Sequence, residues 1–216
     1  MGAASGWRGR ARRGGWGTPH AIECVGGDES PTPARAPSVD RVRSHRRQRE
    51  GPRLSASAPF REHLCDPSEP GQRLVVEGTV TAAGTCAPLP AALLDVWQTD
   101  ARGLYSNLLG LARPGDPRGY RLRGRLRSDG EGRYRFVSRL PGHYPLWVLT
   151  RPRHVHFLVT CPGHRRLITQ LYFAGDPYLR RDPWVKDSLV VPLQPEEAER
   201  GRPGWRARFD LVLEPD

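Results

Sequence analysis

At 216 residues the chain is long enough for one domain of ordinary size with a sizeable core and flexible ends. It is 37% hydrophobic and carries 24 glycines and 22 prolines, with no run near the roughly 18 apolar residues that a membrane-spanning helix needs, so a soluble, membrane-free protein is expected. The net charge of +11 is the kind of balance nucleic-acid binders show, but eleven arginines against five acids fall within residues 1–60, so the basic run lies in a tail instead of along a face on which bases could stack.

Residues 1–58 hold Gly-Arg repeats, prolines and serines with almost no apolar periodicity, so they bury too little surface to offset the entropy of ordering and are expected to be a disordered arm. A catalytic domain over 59–216 follows. From Arg73 onward short apolar or alternating runs are separated by Gly, Pro and Asp, which predicts strands over 74–80, 91–97, 119–127, 134–137, 154–160, 167–173 and 209–213. Only short turns near 195–200 have any helical character. The expected fold class is all-β: a sandwich of short mixed and antiparallel strands with long loops. Cys24, Cys65, Cys86 and Cys161 are scattered without C-x-x-C spacing, and no N-terminal stretch has the apolar centre of a secretory signal, so a reducing, cytoplasmic setting is expected.

The chemistry concentrates around Arg151-Pro152-Arg153-His154-Val155-His156-Phe157. On a strand the two-residue side-chain period puts His154 and His156 on one face and Val155 and Phe157 on the other. Two imidazoles at this spacing suit zinc, copper or iron alike, and structural histidines are commoner than ligands. Tyr105 and Tyr144 each follow a turn, in Gly103-Leu104-Tyr105-Ser106 and Pro141-Gly142-His143-Tyr144-Pro145. Taken singly, each is an aromatic packed at a strand end.

In combination these phrases carry more. With Val76-Glu77-Gly78-Thr79-Val80, Asp95-Val96-Trp97-Gln98-Thr99-Asp100, Ser128-Asp129-Gly130-Glu131-Gly132-Arg133-Tyr134 and Thr169-Gln170-Leu171-Tyr172-Phe173-Ala174-Gly175-Asp176, they run in order from about residue 75 to 213. The sequence resembles the intradiol ring-cleavage dioxygenases. The resemblance implies an enzyme that opens a catechol-type ring between its two hydroxyl carbons with dioxygen, yielding a muconate-type diacid. It implies a ferric ion, Fe(3+), bound by Tyr105, Tyr144, His154 and His156. It further implies that Tyr144 takes up a proton when the diol binds, that Arg151 stabilises charge developing on the substrate, and that Gln170 stands beside the site.

Trp97, Tyr134, Tyr172 and Tyr178 are expected to pack rather than to act, and His143 and His164 fall outside the ligand positions. Arg153 stands where the family often has a small residue, the 146–150 link to the histidine strand is short, and the helical dimerisation region of catechol-type members has no counterpart here. The 39-residue spacing from Tyr105 to Tyr144 resembles that of protocatechuate-type catalytic subunits, which implies an oligomer of this chain or one with a related subunit. The alternative is a non-catalytic, transthyretin-like β-sandwich binding module, which has no reason to keep two tyrosines in register with H-x-H.

Overall fold

The computed structural model describes residues 58–106, 120–146, 149–199 and 202–216. All of the expected arm except Ala58 lies outside them, and Ala58 itself is fully buried.

β1 (Arg73–Ala82), the strand predicted from Leu74 onward, organises the first sheet. One edge pairs antiparallel with β4 (Arg133–Arg139), with Val76 opposite Phe136. The other edge takes two strands in parallel, β11 (Arg202–Arg208) beside Arg73–Glu77 and β12 (Leu211–Leu213) beside Val80–Ala82. β10 (Gln194–Glu199) completes this sheet against β11. The second sheet has the order β3-β2-β7-β8-β9, built from β3 (Arg123–Arg127), β2 (Leu93–Gln98), β7 (His154–Cys161), β8 (His164–Phe173) and β9 (Val190–Val191). A separate hairpin joins β5 (Tyr144–Leu146) to β6 (Leu149–Arg151). No helix among the described residues is long and apolar enough to cross a membrane.

The two sheets share one core. Leu74, Val76 and Phe136 from the first meet Leu94, Val155 and Phe157 from the second. Phe157 sits at its centre, with ring centroids 6.1 Å from Phe136 and 5.4 Å from Phe209. Burying a side chain of this size stabilises the fold by about 1.5–3 kcal/mol. The Tyr134 hydroxyl donates to the Phe209 carbonyl, so that ring packs and also satisfies its polar end.

The all-β sandwich expected from the sequence is therefore observed, and strands lie within all seven predicted runs. Three start late, β2, β3 and β12, the first two for a local reason: Ala91 and Leu122 adopt left-handed backbone angles (φ 57° and 59°), which end the preceding turns just before β2 and β3 begin. The expected helical turns at 195–200 are a correction, because 194–199 form strand β10. Glu196 bonds Arg206 at 2.6 Å and lies 3.6 Å from Arg73, and the ladder to β11 outweighs the helix preference of Glu and Ala. Residues 58–64 close the side of the sandwich where both sheets end: Phe60 bridges to Arg125 of β3 and His63 to Val137 of β4.

Candidate metal centre

β7 is the middle of the second sheet, between β2 and β8. Val155 and Phe157 face the core, so His154 and His156 must project from the opposite face. The register then sets their neighbours: His156 is flanked by Trp97 of β2 and Gln170 of β8, and His154 by Tyr172 of β8. Trp97 stacks on His156 with parallel rings 4.8 Å apart. His154 Nδ1 lies 2.7 Å from the Pro152 carbonyl, which can only accept, so Nδ1 carries the proton and Nε2 presents its lone pair.

Tyr105 arrives from the end of β2. Asp100 Oδ1 accepts the backbone N–H groups of Arg102 and Leu104, both at 2.9 Å, and winds the chain into a tight turn. This turn docks on the one before Tyr144. A Cβ on Gly103 would meet the His143 carbonyl oxygen at 1.8 Å, and one on Gly142 would meet the Gly103 nitrogen at 2.4 Å. Only glycine permits such backbone-to-backbone approach. Two further bonds fasten the loops, from Thr99 Oγ1 to the Gly142 carbonyl at 3.1 Å and from Gln98 Nε2 to the Arg139 carbonyl at 2.7 Å.

As a result three donor atoms converge. Tyr105 Oη lies 2.9 Å from His156 Nε2 and 3.3 Å from His154 Nε2, and the two nitrogens are 3.1 Å apart. The Tyr144 ring meets the Tyr105 ring edge-on at 5.2 Å. Burial, reinforced by Arg151, pulls the His154 pKa down to about 4. Burial and the neighbouring His154 lower His156 further below its ordinary value, so both imidazoles are neutral. Burial also pushes the Tyr105 phenol well above its usual range, more than the Arg151 charge draws it down. Without a cation its hydroxyl keeps its proton.

Arg151, buried at the end of β6, lies beside this cluster. Its Nε donates to Asp182 Oδ2 at 2.7 Å, and its Nη2 to Gln170 Oε1 at 2.9 Å and to the Tyr172 hydroxyl at 2.7 Å.

A protein family described as Dioxygenase matches residues 50–215. The chain belongs to the intradiol ring-cleavage dioxygenase family. It is 36% identical over 173 residues to a hydroxyquinol 1,2-dioxygenase of Rhodococcus opacus, covering 68% of this chain and 55% of the relative. It is 37% identical over 158 residues to a protocatechuate 3,4-dioxygenase beta chain of Burkholderia cepacia, covering 66% of this chain and 65% of the relative. The chain therefore spans just over half to about two thirds of these relatives' length, and near-equal identities favour neither substrate type. The solved dioxygenase domain of a dioxygenase carbohydrate-binding protein fusion from Streptomyces sp. SirexAA-E superposes with a TM-score of 0.63 at 33% identity, over 78% of this chain and 97% of that one.

In this member of the intradiol dioxygenase family the residues singled out from sequence gather in one region. Tyr105, His154 and His156 meet directly, Tyr144 packs on Tyr105, and Arg151 and Gln170 are bonded to each other. Trp97 is buried as expected, though against His156 instead of between the sheets. Tyr172 is more than a packing residue, since its hydroxyl donates to Gln170 Oε1 at 2.6 Å and accepts from Arg151. His143 pairs with Asp176 at 2.9 Å and stacks edge-on against Tyr178, and His164 Nδ1 donates to the Pro162 carbonyl at 3.1 Å; neither joins the three donors. Sequence reasoning missed Asp100, Asp176 and Asp182, whose carboxylates tie backbone and guanidinium groups around the cluster. The first two stood within matched phrases without an assigned task, and Asp182 lay beyond the last of them.

Proposed function

We propose that this chain catalyses intradiol cleavage of a catechol-type diol: both atoms of dioxygen enter the ring-opened product, a muconate-type dicarboxylic acid, and the ferric ion that this chemistry uses is held by Tyr105, Tyr144, His154 and His156. The observation that carries the reading is the convergence of one phenol oxygen and the Nε2 atoms of two neutral imidazoles within 3.3 Å of one another. Three atoms of metal-ligating type, each 2.9–3.3 Å from the other two, would suit one shared ion. The donor types fit as well. Ionising a phenol at pH 7 costs roughly 4 kcal/mol from its unperturbed pKa, and more in this buried setting. When bound, a ferric ion supplies the positive charge that makes phenolates of the tyrosines and a dianion of the diol.

The protein's own groups have separable tasks. Tyr105 is fixed by the Asp100 turn and both histidines, whereas Tyr144 stands on the β5–β6 hairpin, which pairs with neither main sheet. That difference suits Tyr144 for moving aside and taking a proton from the incoming diol at its phenol oxygen. Arg151 has Nε and Nη2 committed to protein acceptors, and Nη1, which has none among the described residues, offers its N–H groups to an oxygen of the ring as negative charge develops there. Gln170 Oε1 accepts from both Arg151 and Tyr172, so the amide's nitrogen is its donor end and its orientation is set. Trp97, stacked on His156, excludes water from that side. Assembly as a homo-oligomer or with a related subunit belongs to the same proposal, the Burkholderia relative being named as a beta chain.

The test is a panel of catechol, protocatechuate and hydroxyquinol with product identification. Cleavage between the two hydroxyl-bearing carbons is expected. Opening of the ring beside the diol, or no consumption of any of the three by iron-loaded protein, would overturn the proposal.

A further inference from the structure

Arg151 is held more completely than an arginine needs to be merely to sit in a fold. Its partner Asp182 is fully enclosed as a side chain, and Arg151 exposes only 8% of its own. A carboxylate so enclosed is costly unless its charge is matched and its lone pairs are filled. Both conditions are met: Oδ2 accepts Arg151 Nε at 2.7 Å, and Oδ1 accepts the Trp184 backbone N–H at 2.9 Å. The same short turn brings the Trp184 ring over the guanidinium, with Cζ 4.7 Å from the ring centroid. Gln170 and Tyr172 then hold Nη2 from the β8 side. A bond at Nε, two at Nη2 and a stacked face fix the group's rotations and leave Nη1 with no protein acceptor among the described residues.

We propose that Asp182, with Trp184 as its second arm, is a positioning residue that clamps Arg151 so that Nη1 meets the reacting ring of the bound diol. The inference rests on the proposed function for what Arg151 acts upon, but not for the clamp itself. Misplacing a catalytic group by about 1 Å can cost 100-fold in rate without a comparable loss of binding.

The experiment compares Asp182→Asn, Trp184→Ala, Arg151→Ala and the Asp182→Asn/Arg151→Ala pair in the full chain, by steady-state kinetics on a diol that the wild type cleaves and by crystallography. Asp182→Asn is expected to lower kcat about 10- to 100-fold with KM within about threefold, and to leave iron content and visible absorption unchanged. The double variant is expected to be no slower than Arg151→Ala alone, because Asp182 works only through Arg151. Losses that multiply in the double variant, or a kcat within about twofold of wild type in Asp182→Asn, would overturn the proposal. Should Asp182→Asn fail to fold, Trp184→Ala decides. Trp184 is 39% exposed and its truncation removes no charge, so about a 3- to 10-fold loss in kcat is expected and an unchanged kcat would count against the clamp. The crystal structure of Asp182→Asn separates the two hypotheses. A guanidinium that stays in place overturns the clamp whatever the turnover, whereas a displaced guanidinium in a protein that cleaves no diol sustains the clamp and removes the proposed function.

Discussion

His156 is fixed by its neighbours as much as by its own strand: Trp97 covers one ring face, and Tyr105 and His154 meet Nε2. Under the proposed ligand set, His156→Ala is expected to abolish iron retention, measured as metal content after dialysis, whereas Trp97→Ala should weaken retention while the protein stays folded. Gly142 gives a purely steric test. A methyl group there would strike backbone atoms of Gly103 and Ala101 at 2.4–2.6 Å, and backbone yields less readily than a flexible side chain. Gly142→Ala should cost about 1–3 kcal/mol in chemical denaturation and also lower iron loading, because it pushes the Tyr105 turn away. Gly130→Ala is the control: a Cβ there meets nothing within 4 Å, and its effect should stay within about 0.5 kcal/mol.

The turn between β2 and Tyr105 depends on one carboxylate. Burial works against the Asp100 charge, but the backbone N–H groups of Leu104 and Arg102, with the Arg121 and Arg102 guanidinium groups, outweigh it and hold the carboxyl below its ordinary pKa. Because the folded value is depressed, this contribution is fully present above the unfolded pKa of about 3.9 and is lost as pH falls through the lower folded one. The stability gap between wild type and Asp100→Asn should therefore be constant from pH 7 to about 5 and shrink between about pH 4 and 2, as read from urea midpoints. A gap unchanged down to pH 2 would mean that the charge on Asp100 does not support the turn. The same stretch shows what a sequence discloses. Val155 and Phe157 alternate with His154 and His156, so the shared face of the two imidazoles follows from period alone. Asp95 to Asp100, by contrast, runs without alternation, and nothing local indicates that Gln98, Thr99 and Asp100 would fasten two loops brought together from 40 residues apart in the chain. β10 was illegible for the opposite reason: its local preference is helical, and only the ladder with β11 makes it a strand.

Closure of the sandwich rests on residues 58–64, which bond to β3 and β4 at once: the Arg61 N–H reaches the Arg125 carbonyl at 2.9 Å and the Leu64 N–H the Val137 carbonyl at 2.9 Å. Leu64 is fully buried in the shared core, so Leu64→Ala should cost about 2–5 kcal/mol and, by loosening both sheets, lower the thermal midpoint and iron retention together. Long-range closure of this kind has no periodic signature, whereas the sandwich itself was legible because its strands alternate and its turns carry Gly, Pro and Asp. The most direct test of the proposed ferric site is the visible absorption of the protein after reconstitution with ferric iron. Wild type should show a red-brown phenolate-to-iron charge-transfer band that shifts in both Tyr105→Phe and Tyr144→Phe. A reconstituted wild type that is colourless, or a band indifferent to both substitutions, would contradict the assignment of these tyrosines to the metal.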